Sequence, residues 1–295
     1  DARGDAGTGR NRSAPRQPAP VARMTALAIP VATRPRPKAL ATYFVALVIL
    51  LYLPLGVLLL FSFNAGTSLT FPIQDLTLHW YQRLFDSPEV LRAARNSIIV
   101  GVGSGTAATV LGTAVSLLLT RFRFRGESFL FALAMLPLVV PIVVLAVALL
   151  VLFLALGIDR SLWTVAIGHT VVALPFVVLI VTARLAGFDR DLEDAAMDLG
   201  AHYPKVIATI VLPLILPAVI SAWMVAFTVS LDEFALALFL AGNDATFPVY
   251  LFSQLRFASR LPVMIALAVL MMVGTLVLVL LAEWIRRRGH RGQVS

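Results

Sequence analysis

Six apolar runs leave this chain few ways to fold. They lie at about 39–63, 97–120, 128–156, 161–183, 207–231 and 262–284, each near the roughly 20 residues that an α-helix needs to cross a bilayer. In lipid every backbone N–H and C=O must be satisfied within the protein, so spans of this length are helices. Pro54, Pro137, Pro141 and Pro175 fall inside the runs, and Pro213 and Pro217 open the fifth; they predict kinks that packed neighbours tolerate. Only 14% of the residues are charged and 59% are hydrophobic, against roughly a quarter and a half in a soluble domain. The net charge of +8 does not point to nucleic acid, because the basic residues sit in short loops between apolar runs rather than on one soluble face. Without cysteine there are no disulfides and no thiolate metal sites.

Residues 1–38 are rich in Arg, Pro, Ala and Gly without hydrophobic periodicity, and are expected to be disordered. Met24 is a candidate internal start. A cleaved signal peptide is not expected, because the basic stretch 34–38 leads into an apolar run too long for an h-region. Residues 39–288 form the spanning domain and 289–295 a tail.

Basic residues orient the spans. With the N-terminus in the cytoplasm, Arg34, Arg36, Lys38, Arg121, Arg123, Arg125, Arg184, Arg190, Lys205, Arg286, Arg287, Arg288 and Arg291 lie inside. Arg83, Arg92, Arg95, Arg160, Arg256 and Arg260 lie outside, about half as many. Both termini and the loop 184–206 are therefore expected in the cytoplasm. Two longer outside loops remain, about 64–96 and 232–261.

The loop 184–206 carries a polar island: Asp189, Asp191, Glu193, Asp194 and Asp198 fall within ten residues. It reads as a short amphipathic helix. Asp191 is a candidate N-cap with Asp194 three residues on, and acidic residues in a first turn suit the helix dipole. Leu192, Ala195, Ala196 and Leu199 make one small apolar face. Gly200 is placed to end the helix in the left-handed conformation, and Pro204 fits the first turn of a second helix. Such a helix has little core of its own. It is either a capped loop helix or a shape for a partner's groove.

Glu193-x-Ala195-Ala196…Gly200-Ala201, followed by Leu212-Pro213 and Pro217, resembles the "EAA" loop of importer-type ABC transporter permeases, with Asp194 interrupting the usual Glu-Ala-Ala to give Glu-Asp-Ala-Ala. The resemblance covers about residues 40–288. It implies an all-α membrane protein with the type I ABC importer permease fold: six transmembrane helices and a cytoplasmic coupling helix. That helix, with Glu193, Ala195, Ala196, Asp198, Leu199, Gly200 and Ala201, would sit in a cleft of an ATPase subunit. The implied partners are a second permease subunit, favouring a heterodimer, two ATP-binding subunits and an extracytoplasmic solute-binding protein, in a cell inner membrane.

No G-x-x-x-x-G-K-[ST] occurs, and the only lysines are Lys38 and Lys205. The chain cannot cradle ATP in the P-loop manner. The resemblance then implies that ATP and Mg are bound by the partner ATPase, with no cofactor on this chain. No catalytic set and no metal-ligand spacing stands out. Gly101 and Gly105 give a G-x-x-x-G spacing in the second span, which suits close helix approach in lipid.

Asp232 and Glu233 follow the fifth span in Phe227-Thr-Val-Ser-Leu-Asp-Glu-Phe234, a rise of ~22 Å above Pro217 at ~1.5 Å per residue. They either mark the helix end or face a pathway, as carboxylates at membrane depth do. The segment resembles permeases of the spermidine/putrescine importer group, as do Leu136-Pro-Leu-Val-Val-Pro141, Gly168-His-Thr and Phe247-Pro-Val-Tyr250. Asp232, Glu233 and Phe234 are then candidates for the path of a cationic polyamine. Many such permeases carry an acidic residue just after the Leu-Pro-x-x-x-Pro turn; here it is Ile142. His169, alone in mid-span, reads as a hydrogen-bonded helix contact rather than a proton relay. Trp80 and Tyr81 read as interfacial aromatics, and in that family the similar Trp-Tyr-x-x-Leu-Phe segment is a surface helix. Competing readings are an importer of another solute (sugar, oxyanion, metal complex or thiamine), a secondary transporter, which would need ion coupling and usually an internal repeat, and a membrane-embedded enzyme.

Overall fold

The computed structural model describes residues 38–66, 70–73 and 75–291. The expected disorder of 1–37 and the end of the tail, 292–295, lie outside the described residues. The chain divides into two units, 1–50 and 51–295, at a point inside its first helix. Within the first unit the helix presents exposed apolar side chains such as Leu40 and Phe44.

The helices in order are α1 (Lys38–Phe61), α2 (His79–Phe85), α3 (Pro88–Arg121), α4 (Glu127–Val139), α5 (Ile142–Ala155), α6 (Leu162–Ala186), α7 (Asp191–Asp198), α8 (Tyr203–Val206), α9 (Leu212–Asp232), α10 (Ala235–Leu240), α11 (Phe247–Gln254) and α12 (Leu261–Arg291). A π-helical turn, Ile207–Val211, joins α8 to α9. Pro213 lies just beyond it and brings no N–H to the helical ladder, so the carbonyl four residues back, on Thr209, loses its usual donor. Among the described residues five helices are long and apolar enough to span, and α4 with α5 makes a sixth if that bent pair is one span.

That pair is the expected third span, 128–156, bent far more sharply than a proline kink. The chain turns by 110° between α4 and α5. Pro141 disfavours helical geometry at the residue before it, and Val140 is extended there (ψ 129°). The contacts of α3 show what the bent pair must do. Gly112 meets Val177, Ser116 Oγ donates to Val178 O at 3.2 Å and Arg121 Nη1 to Leu185 O at 3.4 Å. Both partners rise together along the chain, so α3 and α6 are parallel. Two successive parallel spans require a net crossing between them, and α4–α5 supplies it. α9 runs the other way, with Ser104 bonded to Ser230 and Thr106 to Trp223.

α3, α6 and α9 form the centre. Lipid tails are as apolar as leucine, so helices here associate through close packing rather than hydrophobic burial. The seam of α3 is built accordingly from Gly101, Ser104, Gly105, Ala108, Gly112 and Ser116, all buried. The Cβ positions of Gly101 and Gly105 lie 2.9 and 3.3 Å from Phe227 atoms, as the G-x-x-x-G spacing predicts. α3 also begins nine residues before its apolar run. Ser87 is extended, Pro88 stands in the first turn and Glu89 follows, a helix start written in polar residues that hydropathy passes over.

Trp80 is not an interfacial aromatic. It is 6% exposed, packs with Leu84, Val90, Phe247, Met264 and Leu267, and its Nε1–H donates to Asn64 O at 2.7 Å. It anchors α2 to the body.

Candidate functional site

The helix predicted at the polar island is α7. Its start differs from the sequence reading. Arg190, not Asp191, is the cap residue, with no side-chain cap, and the Asp191 N–H donates to Asp189 Oδ1 at 3.1 Å. The acidic cluster therefore begins its capping two residues earlier, and Asp191 becomes the first helical residue. The end is as expected. Gly200 has φ +88°, its N–H reaches Met197 O at 2.8 Å and that of Ala201 reaches Ala196 O at 3.1 Å. This pair of bonds satisfies the last carbonyls in a Schellman arrangement. Pro204 stands in the first turn of α8.

Among the expected coupling residues the structure separates one from the rest. Ala195, Asp198, Leu199 and Gly200 are exposed, Ala196 and Ala201 half-buried, and Leu192 and Asp194 exposed beside them. Leu199 is 90% exposed. Glu193 alone is buried, at 4%, with its Oε1 2.8 Å from Arg121 Nη2. The apolar face of α7 is thus open, and Asp194 is the acidic residue beside it. Arg121 was not singled out from the sequence, because nothing local ties it to a residue 72 positions later.

The acidic pair after α9 also divides. Glu233 Oε1 accepts the Leu236 N–H at 3.0 Å, so it caps α10. Asp232 instead is exposed at a cavity of 270 Å³ lined by Phe234, Pro248, Leu251, Phe252, Leu255 and Met271. The Phe234 and Phe252 rings lie 4.9 Å apart. One carboxylate beside two aromatic rings in an otherwise apolar cavity can receive an ammonium group, by charge and by the ring faces.

Two residues below Asp232, Ser230 joins three helices. His169 Nδ1 lies 2.7 Å from Ser230 Oγ, and Ser104 Oγ lies 2.9 Å from the same oxygen. His169 is therefore a helix-to-helix contact, as its isolation in the sequence predicts. Among the described residues no three His, Cys, Asp or Glu side chains converge as metal ligands would.

A family model described as "binding-protein-dependent transport system inner membrane component" matches residues 108–291. The chain is 36% identical over 259 residues to the spermidine/putrescine transport system permease protein PotC of Escherichia coli (strain K12), covering 86% of this chain and 97% of that one. It is 35% identical over 242 residues to PotC of Haemophilus influenzae, covering 81% and 93%. It is 34% identical over 252 residues to the putrescine transport system permease protein PotI of Escherichia coli (strain K12), covering 83% and 89%. A chain of a bacterial ABC transporter involved in the import of the acidic polysaccharide alginate shares the fold, with TM-score 0.67 at 18% identity over 85% of this chain and 94% of that one. The protein is thus a permease of the ABC importer type, and it belongs to the family of binding-protein-dependent transport system inner membrane components.

Proposed function

We propose that this permease moves a polyamine of the spermidine/putrescine kind inward by alternating access, driven through α7 by a separate ATPase. The observation that carries the reading is the open apolar face of α7: Leu192, Ala195 and Leu199 are exposed on an eight-residue helix, and Leu199 at 90% is poorly placed for water unless something covers it. A groove in an ATPase subunit, where ATP and Mg are bound and hydrolysed, is the cover this reading assigns. Asp194 supplies the acidic contact beside that face, with Ala195, Ala196, Asp198, Leu199, Gly200 and Ala201, while Glu193 serves inside the protein. The excess of basic residues on the side of Arg121 and Lys205 supports a cytoplasmic α7. An even number of crossings then returns the chain to the cytoplasm, with a second permease subunit beside it and a solute-binding protein meeting the outer loops. The polyamine assignment is supported by the names of the relatives and by Asp232 beside Phe234 and Phe252.

Ala196→Trp tests it. The bulky ring fills the half-buried edge of α7, and a P-loop ATPase should no longer co-purify with the tagged permease from native membranes. An ATPase that stays bound, with spermidine uptake unchanged, would refute the coupling role.

A further inference from the structure

α7 is tied to the body at a place the chain's covalent path does not require. α7 packs on α8 and the π-helical turn, which lead directly into α9. A second connection runs from its loop to the last turn of α3. Arg190 Nη2 donates to Thr120 O, the Arg121 guanidinium lies over the Phe188 ring at 5.6 Å, and the Phe122 ring meets Tyr203 edge-on at 5.6 Å. At the centre of these contacts is the Arg121–Glu193 pair, with side chains only 3% and 5% exposed.

The pair has an unusual character. Its atoms are close, at 2.8 Å, yet neither Arg121 Nη2 nor Glu193 Oε1 makes a hydrogen bond of good geometry. It is a close, buried charge pair. In a site this dry the attraction is much stronger than in water. Removing either partner leaves the other as a buried, uncompensated charge. A buried acid on a helix otherwise open to solvent is hard to explain as decoration of an exposed loop. An apolar residue could fill the same space without the desolvation of two charges.

We propose that Arg121 and Glu193 are positioning residues that form a strut between α7 and α3, so that movement of α7 is passed to α3 as well as along the chain to α9. The proposal rests on the reading of α7 as the coupling helix. Because α3 packs on both α6 and α9, the strut feeds all three central helices from one point. The other charged and titratable groups around it, Arg190, Asp194 and Tyr203, line a groove of 300 Å³ with Arg121 and Glu193.

The test uses the permease assembled with its ATPase and binding protein in liposomes, with ATP hydrolysis and spermidine uptake followed in parallel. Glu193→Gln and Arg121→Gln keep size and polarity but remove the charge contact. Each should leave the ATPase bound and hydrolysing while uptake per ATP falls by about tenfold, within the range by which a change along a connecting network alters coupling between sites. Arg121→Lys, which keeps the charge, and the exchanged pair Arg121→Glu with Glu193→Arg should restore most of that ratio. An unchanged ratio in the Gln variants overturns the strut, as does an Arg121→Lys variant no better than Arg121→Gln. If the Gln variants do not assemble, the lysine and exchanged forms decide: assembly with full coupling supports the strut, and assembly without coupling overturns it, as does failure of both forms to assemble. Ala196→Trp in the same liposomes reports on the coupling helix itself. If it leaves uptake intact, the reading of α7 has failed. If it abolishes ATPase binding while Glu193→Gln couples normally, only the strut has failed.

Discussion

Gly112→Ala puts a single methyl group into the seam between α3 and α6. The added Cβ would lie 2.6 Å from Val177 Cγ1, 2.8 Å from Val177 Cβ and 3.4 Å from the Val178 nitrogen. Carbon atoms in ordinary contact sit about 3.5–4.0 Å apart, so the helices must separate by about 1 Å. Val177 cannot turn aside, because a β-branched side chain in a helix has one strongly preferred rotamer. α6 must move as a whole, and that motion stretches the 3.2 Å bond from Ser116 Oγ to Val178 O past its useful range. Overpacking of this kind costs about 1–3 kcal/mol, alanine's better helix propensity regains about 1, and the Ser116 hydroxyl keeps its 2.7 Å bond to Gly112 O. The net loss is up to about 2 kcal/mol. Heating the detergent-solubilised protein and following the folded fraction by size-exclusion chromatography should show a midpoint lowered by several degrees. Val177→Ala removes Cγ1 but keeps the Cβ at 2.8 Å, so the double variant should recover only part of the loss beyond additivity. A Gly112→Ala protein as stable as the parent would refute the close approach. So would a double variant that merely sums the two single losses.

Asp232 and Glu233 should respond differently despite being neighbours. Asp232→Asn removes the exposed charge at the cavity and should weaken uptake of a di- or triamine at unchanged thermal stability. Glu233→Gln keeps an acceptor for the Leu236 N–H and should change either quantity by less; equal effects would mean that the pair acts as one site. His169→Ala leaves Ser230 with Ser104 alone and opens a space at a three-helix junction. It should cost about 2–4 kcal/mol in the same heating assay, as large-to-small changes in packed cores do. His169→Ala as stable as the parent would show that the junction is not a structural contact.

Hydropathy finds segments that leave water, and it found these, but it cannot say which way a segment points or what it touches. The apolar run at 128–156 is continuous in composition, so the turn at Val140–Pro141 is visible only as a proline whose effect depends on its neighbours. Trp80 has the same hydropathy whether it faces headgroups or Leu84 and Met264. α7 and its glycine end were legible because they depend on local geometry: an acidic first turn, a helical repeat of small apolar residues and a residue free to adopt positive φ. The inward turn of Glu193 was not, because its cause is an arginine at the end of a different helix. For the same reason the adjacent acids 232 and 233 looked equivalent until Glu233 was seen to hold the first turn of α10.

The seam of α3 has a thermodynamic consequence. Glycine and alanine have no rotamers to surrender when they are buried, whereas a lysine, arginine or methionine gives up about 1.5–2 kcal/mol of side-chain freedom. The two serines in the seam are each fixed by hydrogen bonds, Ser104 to Val100 O and Ser116 to Gly112 O, both at 2.7 Å within their own helix. α3 therefore arrives at the interface already ordered, and its side of the association demands little further loss of side-chain entropy.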